Sequence, residues 1–319
     1  MEEIHYLFKA VGNRYNNYLP HFDACIALVR SAHNKLNMSS RYDRYGYFSG
    51  RPNVLYNVFL NTSFVSRPVR PDIYIEDFNE FLDRLTFSRN ALSRGGTDLS
   101  NEESYAINAI VYTSIMSVAC CYDLWKPGSR KTPGTFFEFF MAALLQEMLP
   151  NAVFSKHIPL AALLNDAETA EGVPEGLDAS DEDEEEGGAA SVSTDLVIGS
   201  RGKRGGFVIP LKITTRERIV QPFAHQRILD SAFGRNVFKS LLVCISETQL
   251  DKKNNSIKQI CVPGTVKLFQ QFLSSVSGLY YCDLPQRYSS IDMQRIIPVK
   301  IVGDFFRDIA IYSDLHSKS

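Results

Sequence analysis

Asp195 and Lys212 stand at the two ends of "DLVIGSRGKRGGFVIPLK", in which two apolar runs are joined by a basic, glycine-rich turn. Side chains alternate along a strand, so Ile209, Leu211 and Ile213 share one face and Val208, Pro210 and Lys212 the other. Antiparallel pairing through the glycines sets Asp195 and Lys212 near each other at one end of a sheet. A carboxylate there can hold Mg2+, a hard cation that takes oxygen ligands. A lysine there can contact a phosphate or help to activate water. Phosphodiester hydrolysis needs both charge neutralisation and a positioned nucleophile. Two solvated strand ends would give the same pattern. A third candidate, Glu138, lies among four phenylalanines in "GTFFEFFMAALL". A charge there is costly to bury without a partner, so Glu138 either meets one or sits on an exposed helix face.

These residues need a sheet and a helix to position them. "TPGTFFEFFMAALLQEMLP" has Thr and Pro at its start and Pro150 after its end, as a helix should. "AVFSKHIPL" reads as a strand, followed by the Asp195 and Lys212 strands and a helix over about Ile219 to Phe233. "FKSLLVCISETQL" and "IKQICVPG" read as strands, "TVKLFQQFLSSVS" as a helix, and "LYYCDLP" and "IIPVKIV" close the chain. Ahead of this α/β part, residues 1–125 read as mainly helical, with helical spacing in "DFNEFLDRLTFSRNAL" and "ESYAINAIVYTSIMSVACCYDLW". The organisation expected is a helical region over 1–125 and an α/β domain over 126–319. Residues 165–191 carry no aromatics and almost no large aliphatics, and read as a mobile acidic insertion.

The net charge of −2 argues weakly against a nucleic-acid partner, but it is unevenly spread. Of the 36 acidic residues, 11 fall between Asp166 and Glu186, where there is no Lys or Arg. The rest of the chain therefore carries a basic surplus, compatible with a polyanion. Six scattered cysteines without a Cys-x-x-Cys pair read as reduced core thiols rather than a zinc site. No apolar run approaches the roughly 18 residues that span a bilayer, and "MEEIHYLFKA" does not read as a signal peptide, so the expected compartment is the cytoplasm, without membrane. "GSRGKRGG" lacks the Gly-Lys-Ser/Thr ending of a phosphate-binding loop and reads as a hairpin turn. In "RYDRYGYFSGRP", Arg41 and Arg44 alternate with tyrosines; they could clamp phosphate, or the loop could pack on the helical region.

An aspartate and a lysine across a hairpin, with a glutamate on the preceding helix, resemble the PD-(D/E)xK nuclease superfamily. "KITTRERIVQ" is similar to a segment of the type II restriction endonucleases that cut CCGG, CCNGG and related sites. The resemblance covers roughly residues 130–300. It implies a mixed central sheet flanked by helices, with Asp195 and Glu138 as metal ligands for Mg2+ and Lys212 at the attacking hydroxide or the phosphate. It also implies that Arg216, Glu217 and Arg218 read C·G pairs: arginine can donate two bonds to guanine O6 and N7, and an acid can accept from cytosine N4. Thr214-x-x-Glu217 equally matches a helix-capping box.

The sequence departs from the superfamily at Pro210, where an acid would stand two residues before the lysine. The CCGG-cutting group recovers that acid 13 or 14 residues past the lysine. Here those positions are His225, which could orient water or be an ordinary polar-face histidine, and Gln226, which could complete the site through its carbonyl oxygen. The function expected is Mg2+-dependent cleavage of double-stranded DNA at a short palindromic C/G-containing site, by a homodimer. The alternative is a nuclease fold that binds DNA without cutting. A third is a nuclease acting on modified or damaged DNA.

Overall fold

Helical spacing of apolar side chains in the first third produces α1 (Glu2–Asn16), α2 (Phe22–Asn37), α3 (Phe78–Leu92) and α4 (Asn101–Trp125). The computed structural model describes residues 1–46, 54–129, 131–160, 191–199 and 205–317. The acidic segment expected to be mobile lies outside the described residues, except for Ser191. So do residues 200–204 of the glycine-rich turn. Between α2 and α3, the segment read as aromatic and basic loops begins with a strand, β1 (Ser40–Gly46), paired antiparallel with β2 (Val54–Leu60).

Helix α4 starts at a reciprocal capping box between Ser100 and Glu103 and is apolar almost all round. By length and composition alone it could cross a membrane, which the expectation of no such run missed. Within the protein, 94% of its apolar window is buried. An all-round apolar helix of this kind is what a core helix looks like.

Helix α5 (Thr132–Met148) leads into β3 (Val153–Pro159), β4 (Ser191–Gly199), β5 (Gly206–Ile209) and β6 (Leu211–Lys212). Then follow α6 (Val220–Phe233), β7 (Phe238–Ser246), β8 (Thr248–Asp251), β9 (Ser256–Gln259), α7 (Pro263–Phe272), β10 (Gly278–Asp283), α8 (Ile291–Gln294), β11 (Val299–Ile301) and α9 (Val302–Ser317). The central sheet has the order β11-β10-β7-β5-β4-β3, with β6 continuing β5 against β7. Pairings β3/β4 and β4/β5 are antiparallel, and β5/β7, β7/β10 and β10/β11 are parallel, so the sheet is mixed.

Strand β7 is buried on both faces and shows the twofold rhythm of a central strand. Leu241, Val243 and Ile245 join the core formed with α4, α5 and α9, whereas Leu242 and Cys244 join the core containing Phe223 of α6 and Val266 of α7. The layers are thus helix, sheet, helix. A second sheet, β2-β1-β9-β8, combines the N-terminal hairpin with two strands from the second half of the chain.

The boundary expected between residues 125 and 126 is not a division of the core. One apolar cluster contains Leu28, Ile110, Phe136, Ile209 and Phe305. Helices α4 and α9 approach so closely that a Cβ at Gly303 would lie 1.8 Å from the Ser104 carbonyl oxygen. All six cysteines are free and buried, as core thiols.

Candidate active site

The hairpin brings Asp195 and Lys212 together, and Pro210 determines how. The β4/β5 ladder runs from Gly199↔Gly206 to Leu196↔Ile209 and would next pair Asp195 with Pro210, which has no N–H to donate. Pro210 still accepts from the Val243 amide at 3.0 Å, so the strand keeps its register against β7 on both sides of the proline, Val208↔Ser240 and Leu211↔Val243. Asp195 Oδ2 accepts both the Leu211 amide at 2.8 Å and Lys212 Nζ at 2.7 Å. Two donors on one oxygen fix the carboxylate in the middle of β4, where its ladder with β5 ends, and leave Oδ1 without a hydrogen bond among the described residues.

Glu138 reaches the same corner from α5. It is 8% exposed, and its partner is Lys156 of β3, at 2.7 Å. Burial raises its carboxyl above the ordinary value, Lys156 and the Tyr15 hydroxyl pull it down, and the Asp195 charge pushes it up. Two neighbouring carboxylates, one of them desolvated, form an oxygen donor set suited to a hard divalent cation. Among the described residues no group of three His, Cys, Asp and Glu side chains converges as a metal site, and the third acid of the cleft, Asp123, is paired with Arg67.

Glu138, Asp195 and Lys212 line a cleft of about 610 Å3 together with Arg67, Lys131, Arg216, Arg218 and Gln249. Cations outnumber acids along it, as a polyanion requires. Beyond Lys212 the chain makes a short 3-10 turn, Arg216–Ile219, before α6. Among the described residues no side chain caps that turn. Instead the Thr215 amide donates to Glu247 Oε1 at 2.9 Å and the Thr215 hydroxyl donates to the same oxygen. Arg216 has φ +47°, a left-handed conformation that costs a non-glycine residue about 1–3 kcal/mol. Its guanidinium donates to Gln249 Oε1. Arg218 is exposed and donates to the Thr214 carbonyl at 3.2 Å.

No family model and no curated protein matches the chain. Among solved structures, the crystal structure of the type IIP restriction endonuclease Kpn2I is 44% identical, with a TM-score of 0.83 over 100% of this chain and 99% of that one. The chain belongs to the type II restriction endonucleases. It is a sequence-specific DNA endonuclease with the fold of that family. The restriction endonuclease PspGI, solved with its substrate DNA, is 13% identical at a TM-score of 0.41, over 75% of this chain and 93% of that one.

Not every expected site residue of the endonuclease lies at this corner. Gln226 does not line the cleft. Its Nε2 donates to Asp230 Oδ1 at 2.8 Å and to the Phe238 carbonyl at 3.0 Å, and its Oε1 accepts the Ser240 amide at 2.9 Å. The first bond lies within α6, and the other two hold α6 onto β7. One residue earlier on the helix, about 100° round its axis, His225 lines a recess with Asp195, Pro210, Lys212 and Gln221. Burial and the Lys212 charge push His225 below the ordinary histidine value, Asp195 opposes them, and Nδ1 is buried without a hydrogen-bond partner among the described residues.

Arg41 and Arg44 do not line the cleft. Arg41 makes a two-pronged bond to Glu76, and Arg44 lies over the Tyr42 ring and donates to Asn255. The Glu217 side chain lies outside the described residues. Sequence reasoning missed Lys131, Lys156, Glu247 and Gln249. Of these only Glu247 carried a signal: like Glu138, it is a charge set against an apolar run, "LLVCISE".

Proposed function

We propose that this endonuclease cuts double-stranded DNA with Mg2+ at a short palindromic, C·G-containing site, with Asp195 and Glu138 holding the cation and Lys212 serving the scissile phosphate. The observation that carries this reading is that one cleft is lined by the Asp195–Lys212 pair, by Glu138, and by Arg216 and Arg218. The same surface can then hold the phosphate and face the bases. A divalent cation at such a site supplies charge neutralisation at the phosphate and a hydroxide nucleophile near neutral pH.

The chain's own residues supply the rest. Lys212, 13% exposed, is directed by its bond to Asp195 and offers its remaining N–H donors to a phosphate oxygen. Lys131 adds a second charge along the DNA backbone track. The Arg67 charge is committed to Asp123 through bonds of 2.7 and 2.8 Å, so it shapes the cleft wall rather than drawing phosphate. Arg216 and Arg218 suit guanine edges, and Glu217 suits the cytosine amino group. A palindrome read by one such segment per chain calls for a twofold dimer, and the type IIP class of Kpn2I supports that arrangement. The compartment proposed is the cytoplasm.

Unmethylated phage DNA incubated with Mg2+, or with EDTA, beside Asp195→Ala tests this directly. The expected result is discrete Mg2+-dependent bands that disappear in the variant, with end sequencing giving the site. Equal cutting by the variant, or intact DNA in every lane, would refute it.

A further inference from the structure

Glu247 is a carboxylate with no exposed surface. It sits where β7 passes into β8, and its carbonyl accepts the Ile260 amide at 2.8 Å. Its Oε1 takes the Thr215 amide and hydroxyl, and Cys244 Sγ lies 3.7 Å away. Oε2 is buried and accepts no hydrogen bond from the described residues. No cation pairs with it among the described residues.

The next residue after Thr215 is Arg216, in its left-handed conformation. Two residues on from Glu247, in β8, Gln249 accepts the Arg216 guanidinium. The chain from Glu247 to Gln249 thus holds Arg216 on both sides: Glu247 fixes the preceding Thr215, and Gln249, in β8, takes the guanidinium. That strand is an edge of the small sheet, braced by Thr248↔Gln259 and Gln249↔Lys258 and, through β9, by Gly46 of the N-terminal hairpin. The hairpin acquires a task in this arrangement: it stiffens the platform under the arginine.

We infer that Glu247 and Gln249 are the positioning residues of base recognition, presenting Arg216 to the DNA. This rests on the reading of Arg216 as a base contact. A left-handed arginine would relax without its clamp, and the loss should fall on discrimination between sites rather than on cutting in general.

The test uses the full-length chain and oligonucleotide duplexes carrying the cut site or single base-pair changes of it. The values of kcat and KM are measured for each, with thermal melting of each protein. A good arginine–guanine pair is worth a factor of about 10–100 in discrimination, and Arg216→Ala should lose that factor. Glu247→Ala and Gln249→Ala should lose a comparable part of it. Glu247→Gln keeps an acceptor for Thr215 and should restore the ratio to within about fivefold of the parent, as expected for a role in positioning. Uniform slowing on every duplex, with the ratio intact, would overturn the inference. If Glu247→Ala does not fold, Gln249→Ala decides, because its side chain is partly exposed. If Arg216→Ala itself keeps full discrimination, the base-contact reading fails and takes the inference with it, a result distinct from failure of the clamp alone.

Discussion

Two aspartate–cation pairs of the central sheet, Asp283–Arg70 and Asp195–Lys212, are built for opposite purposes. Asp283, closing β10, is 2% exposed and has both oxygens filled: Arg70 donates to Oδ1 at 2.9 Å, and Tyr56 and Ser246 donate to Oδ2 at 3.0 and 3.1 Å. It ties the N-terminal hairpin to the end of the central strand. Asp195 has a side chain 32% exposed, two donors on one oxygen and the other oxygen turned to no described partner. A saturated pair can only brace. An unsaturated pair opening on a cleft keeps capacity for a cation and a phosphate.

The comparison is broken most sharply by removing one member from each pair. Asp195→Ala should lower cleavage on the order of 10^3-fold, read from single-turnover gels, while its melting temperature moves little. Arg70→Met should do the reverse. It leaves the buried Asp283 carboxylate without its cation and should cost about 3–5 kcal/mol of unfolding free energy by denaturant titration. Per folded molecule, cleavage by Arg70→Met should stay within a few-fold of the parent. A variant of either kind that lost both properties together would erase the distinction.

Glu138 sharpens the same contrast through pH. Burial raises its carboxyl, so the native state binds that proton more tightly than the unfolded chain does. Stability should therefore fall as pH rises from the ordinary glutamate value through the raised one, and the full cost is present above it. Glu138→Gln has no such loss. Melted in EDTA, it should be as stable as the parent or more so at pH 8, and its advantage should vanish below the ordinary glutamate value. Its cleavage should drop about a hundredfold, because an amide carries no charge for the cation. In the parent, the acid limb of the cleavage profile should lie above the ordinary glutamate value. A Glu138→Gln protein that melted lower at pH 8 than at pH 4, relative to the parent, would contradict this sign.

Much of the corner that holds Asp195, Lys212 and Glu138 was legible because its logic is local. Alternation through "FVIPLKI" and a glycine turn suffice to place Asp195 beside Lys212, and an acid among phenylalanines singles out Glu138. The choice between His225 and Gln226 was not legible. Neighbouring helix positions differ by about 100°, and only the packing of α6 on β7 decides which one turns to the sheet. The hairpin of β1 and β2 was missed because its polar, arginine-rich first strand lacks an apolar face; its pairing with β9 comes from a segment some 200 residues away. Helix α9 was legible and overlooked: Val302, Phe305, Phe306 and Ile309 keep helical spacing and are fully buried.

The smallest expected effect concerns the arginines of that hairpin. The Arg41–Glu76 pair is about half exposed on both sides, and such pairs contribute about 0–1 kcal/mol. Arg44 spends its charge over the Tyr42 ring, with its centre 4.0 Å from the ring centroid, and on Asn255. Neither faces the cleft that holds Asp195 and Lys212. Arg41→Ala and Arg44→Ala should therefore leave cleavage within about twofold, stability within about 1 kcal/mol and the salt dependence of DNA binding unchanged. Removing a charge that neutralises a phosphate would instead lower the slope of log affinity against log salt by about one. A shallower slope in either variant would extend the DNA track past the cleft and onto the hairpin. The hairpin would then touch DNA in its own right, and its effect would no longer pass only through β9 and the strand beneath Arg216.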